Sequence, residues 1–77
     1  MKQYQINEHA IARETKFPRG STEIGVYVDE VMVGVILHAI GSSWWSWYPV
    51  GEGKKIRYRT KRGAIEKAST ASRAFEN

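Results

Sequence analysis

Nine consecutive residues, Lys54 to Arg62 (KKIRYRTKR), hold six positive charges and no negative one, whereas the rest of the chain carries six basic against eight acidic residues. The whole excess of positive charge, net +4 over 77 residues, is therefore local. Local cationic density of this kind is the electrostatic footprint of a polyanion-binding surface, because it concentrates phosphate-bearing partners. Lys54, Lys55, Arg57, Arg59, Lys61 and Arg62 are accordingly the candidate phosphate contacts. Just upstream, Trp44-Trp45-Ser46-Trp47-Tyr48 places four aromatics in five residues. An exposed ring beside arginines can stack a nucleobase or anchor a protein partner, so Trp44, Trp45, Trp47 and Tyr48 form the second candidate group. Strand alternation puts Trp45 and Trp47 on one face and Trp44 and Tyr48 on the other.

These residues must be held by a small scaffold. A 77-residue chain buries only about 60% of its unfolded surface and has room for one core, so residues 1–77 read as a single α+β domain. The core is expected in Ile24 to Ile40, where Ile24, Val26 and Val28, then Val31, Val33, Val35 and Leu37, alternate as β-strands do. Asp29 and Glu30 mark the turn of this hairpin, without the following Gly that would compel a two-residue primed turn. Gly41-Ser42-Ser43 turns the chain into the aromatic strand, and Pro49 to Gly53 forms the next loop. Lys55, Arg57 and Arg59 then alternate with Ile56 and Tyr58, giving a half-buried strand with a basic outer face. Thr60 is the expected N-cap of a C-terminal helix reaching about Phe75, with Ile65, Ala68, Ala71, Ser72 and Phe75 along its apolar stripe.

The fold expected is a three- to four-stranded antiparallel sheet with this helix packed on one face. Residues 1–22 are the least determined. Tyr4 and Ile6 suit a short strand, but Asn7 as an N-cap, followed by Glu8, Ala10, Ile11 and Glu14, favours a short helix to about Lys16. Phe17-Pro18-Arg19-Gly20-Ser21 would end it. Val31 to Gly51 lacks formal charge over a length that would span a bilayer, yet Gly-Ser-Ser and Pro interrupt it and its β-branched alternation suits a sheet.

Several chemistries are disfavoured. The absence of cysteine removes disulfides and thiolate metal sites and suits a reducing cytoplasm. The first residues, MKQYQINEHA, carry no apolar signal segment. Gly51-Glu52-Gly53-Lys54-Lys55 has neither the spacing nor the hydroxyl of a phosphate loop. His9 and His38 have no companion ligands, and no Ser, His and acid set can be named. No enzyme activity, cofactor or metal is expected.

Lys61 and Arg62 stand in the first turn of the helix, where the macrodipole disfavours cations by up to about 1 kcal/mol each. A phosphate docked at the helix N-terminus between them, Arg57 and Arg59 would relieve that conflict. The plainer account pairs the basic residues with Glu8, Glu14 and Glu66.

Thr60 to Ser69, TKRGAIEKAS, after an antiparallel meander, resembles the second helix of double-stranded-RNA-binding domains, whose basic helix start meets phosphates. It also resembles the arm-binding modules of phage integrases. A strand, Lys55 to Arg59, stands here where the RNA-binding family has a Gly-rich loop. The style of "YVDEVMVG" followed by "TKRGAI" is similar to small bacteriophage or prophage accessory proteins. Two functions follow as expectations. One is a nucleic-acid-binding module, for DNA or RNA. The other is a protein-interaction module that inhibits a host or defence complex, its aromatics and basic strip meeting an acidic surface. A homodimer is compatible with both.

Overall fold

The computed structural model describes residues 1–75, with side chains to residue 70. Six strands, β1 (Lys2–Gln5), β2 (Ala10–Lys16), β3 (Thr22–Val28), β4 (Val31–His38), β5 (Trp45–Pro49) and β6 (Ile56–Tyr58), precede one helix, α1 (Lys61–Phe75). Every strand pairs antiparallel with its sequence neighbours, in the order β1-β2-β3-β4-β5-β6. The α+β class, the antiparallel sheet and the C-terminal helix agree with the sequence reading. The strand count does not, because six strands replace three or four.

The two additional strands come from the N-terminal segment, where the expected short helix is corrected to a hairpin. Asn7 does not cap a helix. Its side-chain Oδ1 accepts the backbone N–H groups of His9 (2.8 Å) and Ala10 (2.9 Å), while the N–H of Ile6 donates to the Ala10 carbonyl at 2.8 Å. An N-cap and an Asx turn use the same ability of a short carboxamide to accept N–H groups two and three residues on, so the local signal is shared. Burial decides between them: Ala10, Ala12 and Glu14 are buried while Arg13 is exposed, which is a period of two.

The β3–β4 hairpin turns through Asp29 (φ 49°) and Glu30 (φ 70°), two left-handed residues as a type I′ turn demands. A bulge at Val26/Tyr27 shifts the register within this hairpin and adds twist. Gly34 interrupts the β-branched run of β4 for a packing reason. A Cβ there would meet Cζ3 of Trp47 at 2.6 Å and the Tyr48 carbonyl oxygen at 2.6 Å, so the indole lies directly on the backbone of β4.

Thr60 caps α1, its Oγ1 accepting the Gly63 N–H at 3.0 Å. Ala64 and Ala68, one turn apart, are fully buried against Ala12, Ile24, Val26, Ile36 and Trp47, and their small side chains let the helix lie close to the sheet. Ile65 packs at the edge of this core. The expected stripe positions Ala71, Ser72 and Phe75 lie outside the residues whose side chains are described. No helix among the described residues is long and apolar enough to cross a membrane.

Register divides the sheet into two faces. One row of paired residues, Lys2–Glu14–Ile24–Ile36–Trp47–Ile56, runs across all six strands on the helix side. Two rows lie on the other side: Gln3–Arg13–Gly25–Val35–Tyr48, and Thr15–Glu23–Leu37–Ser46–Arg57. The sheet also curls. The Lys61 ammonium lies 6.0 Å from the ring of Tyr4 on β1 and 6.0 Å from that of Trp45 on β5, whereas strands four places apart in a flat sheet are separated by about 19 Å.

Candidate nucleic-acid interface

The aromatic strand distributes its rings by strict alternation. Trp47 points to the helix and is 1% exposed, with its indole N–H lacking a hydrogen-bond partner among the described residues. Trp45, on the same side, stacks on His38 with ring centroids 4.0 Å apart and planes 11° from parallel. The imidazole is fixed in turn by a 3.0 Å hydrogen bond between its Nε2 and the Ser42 carbonyl. Both indoles therefore serve the core and its margin. Trp44 and Tyr48 lie on the face that α1 leaves uncovered, and Tyr48 is 38% exposed.

The basic strip divides in the same way. Arg57, on β6, is registered opposite Ser46 on the open face. Its guanidinium carbon lies 5.0 Å from the centroid of the Trp44 ring, and that of Arg59 lies 5.3 Å from it. Two cations thus share one indole, a contact that leaves guanidinium donors available to an anion. Lys55 joins Arg57, Trp44 and Tyr48 around an open groove of about 340 Å³. Lys54 is exposed in the loop before β6.

Lys61 and Arg62 belong elsewhere. The Lys61 ammonium turns inward to the Glu14 carboxylate at 2.7 Å, and Arg62 reaches Glu66, one turn on, at 3.6 Å. Glu14 thus supplies, inside the fold, the negative charge that a cation in the first helical turn requires. It is 3% exposed and also accepts the Tyr4 hydroxyl at 3.1 Å. Burial alone would push the Glu14 carboxyl up. The hydrogen bonds from Lys61 and Tyr4, with the charges of Lys61 and Lys2, outweigh it and hold the group below its usual range. Burial first, then the bond and charge of Glu14, raises the Tyr4 hydroxyl to about 12.

Sequence reasoning missed a second aromatic–cation pair on the open face. Arg13 on β2 lies 4.7 Å over the ring of Tyr27 on β3, with the exposed Met32 registered opposite Tyr27 on β4. The signal was the alternation Ala10, Ala12, Glu14 against Ile11, Arg13, Thr15, which a helical reading of that segment conceals. Among the described residues no group of three or more His, Asp or Glu side chains is placed to hold a metal ion. No protein family matches the chain, and neither a curated protein nor a solved structure matches it.

Proposed function

We propose that the protein is a nucleic-acid-binding module whose interface is the open face of the sheet. Lys55, Arg57 and Arg59 contact phosphates, Trp44 and Tyr48 offer rings to bases, and Lys54 adds exposed charge at the margin. Lys61 is assigned instead to the internal pair with Glu14. The observation that carries this reading is the placement of both Arg57 and Arg59 beside the Trp44 ring, on the sheet face opposite the buried Ala64 and Ala68 of α1. A purely structural indole would be expected to face the helix, as Trp47 does.

The test is electrostatic. Neutralising phosphates releases counterions, so affinity for random-sequence oligonucleotides should fall steeply with salt, measured by fluorescence anisotropy from about 50 mM upward. Undetectable binding at the low-salt end refutes the proposal. A second reading rests on the exposed apolar groups Met32, Leu37 and Tyr48, which suit a protein partner with an acidic rim. It predicts weak or absent nucleic-acid binding, and a loss of partner affinity of about 2 kcal/mol or more in Tyr48→Ala.

A further inference from the structure

We infer that the nucleic acid taken by this face is single-stranded, with unstacked bases resting on the rings of Trp44 and Tyr48. The inference rests on the reading of the open face as a nucleic-acid interface and names its substrate. Trp44, just before β5, and Ser46 and Tyr48 on it alternate to the same side, with about 13 Å between the Cα atoms of Trp44 and Tyr48, room for each ring to take its own base. Ser46 is too small to fill the gap. Leu37, registered opposite Ser46, completes the floor, and Lys55 and Arg57 line the same groove of about 340 Å³. The site therefore combines an apolar floor, two aromatic side chains and a cationic rim, which is the chemistry of unstacked bases with their flanking phosphates.

A duplex fits these observations poorly. Its bases are stacked and paired, so exposed rings on a sheet surface gain nothing from them. Duplex recognition uses an element that enters a groove or follows the backbone across grooves. α1 is not placed to do so through its buried side, because Ala64 and Ala68 are fully buried against the sheet, and Lys61 at its start is engaged by Glu14. The second aromatic–cation pair, Arg13 on Tyr27, lies on the same face three and two strands away from β5 and extends the surface along which a strand can run.

Fluorescence anisotropy with labelled oligo(dT) and oligo(U) of about 20 nucleotides, a duplex of the same length and an abasic strand tests the inference. One of the two single strands should bind at least about tenfold more tightly than the duplex, and the abasic strand should fall to the duplex level. Tyr48→Ala should weaken the single strand about tenfold and leave the duplex unchanged, and Tyr48→Phe should restore binding. Duplex binding equal to or tighter than single-strand binding overturns this inference while leaving the open-face reading intact. So does undiminished binding of the abasic strand. Binding to none of the probes overturns both.

Discussion

Trp47 and Tyr48 are neighbours in the chain and opposites in the fold: one indole lies on the backbone of β4 beneath α1, the other ring lines an open groove with Lys55 and Arg57. The same contrast separates the charges. On the helix side, Lys61 is spent on Glu14, a carboxylate that is itself buried. On the open side, Arg57 and Arg59 meet an indole, which screens but does not neutralise them. A covered face needs its charges matched because desolvation makes an unmatched one costly, whereas an uncovered face can keep net charge for a partner.

The largest effect expected from that contrast is on stability. Trp47→Ala should cost about 3–5 kcal/mol, a loss comparable with the whole stability of a chain this size, which is about 0.05–0.15 kcal/mol per residue. Tyr48→Ala should shift the urea midpoint only slightly. Denaturation followed by circular dichroism decides, and equal losses in the two variants would dissolve the distinction between the faces.

Next in size is the internal ion pair. Lys61→Met strands the Glu14 carboxylate in the core margin and should cost about 3 kcal/mol, while Arg62→Ala, which breaks an exposed pair, should stay within about 0.5 kcal/mol. The depressed Glu14 carboxyl has a sign in pH. Its folded value lies below its unfolded one, so its contribution is complete above the unfolded carboxylate range and is lost as pH falls through that range towards the folded value. Glu14→Gln should be less stable at neutral pH and show a flatter acid limb in the same window.

Removing cations from the open face should act on binding more than on folding. The double variant Arg57→Ala, Arg59→Ala should reduce the log–log salt slope for nucleic acid by about two, with a stability loss of only about 1 kcal/mol from the two cation–π contacts. An unchanged slope would move the phosphate contacts off this face. The smallest effect belongs to the turn. Glu30 holds a left-handed φ of 70°, so Glu30→Gly should raise stability by about 1 kcal/mol, read from the thermal midpoint.

Elements whose signals are local and unshared were legible in the chain. The β3–β4 alternation, the Thr60 cap, the spacing of Ala64 and Ala68 and the opposed faces of Trp44 to Tyr48 all follow from backbone period and capping chemistry over a few residues. The N-terminal hairpin was not legible, because Asn7, Ala10, Ala12 and Glu14 satisfy helical propensity as well as they satisfy an Asx turn and a strand. Only the pairing of Ala12 with Val26 and Glu14 with Ile24, together with burial under α1, selects between them. The candidate site divides along the same line. Local charge density and ring content can be counted along a sequence, but the partner of each charge cannot, since Glu14 and Lys61 meet across 47 positions and Arg13 reaches Tyr27 only through strand register. Residue order alone specified a local cationic strip beside an aromatic run, and tertiary packing decided which of those residues face solvent, because the buried Glu14 carboxylate claims Lys61 and the core claims Trp47.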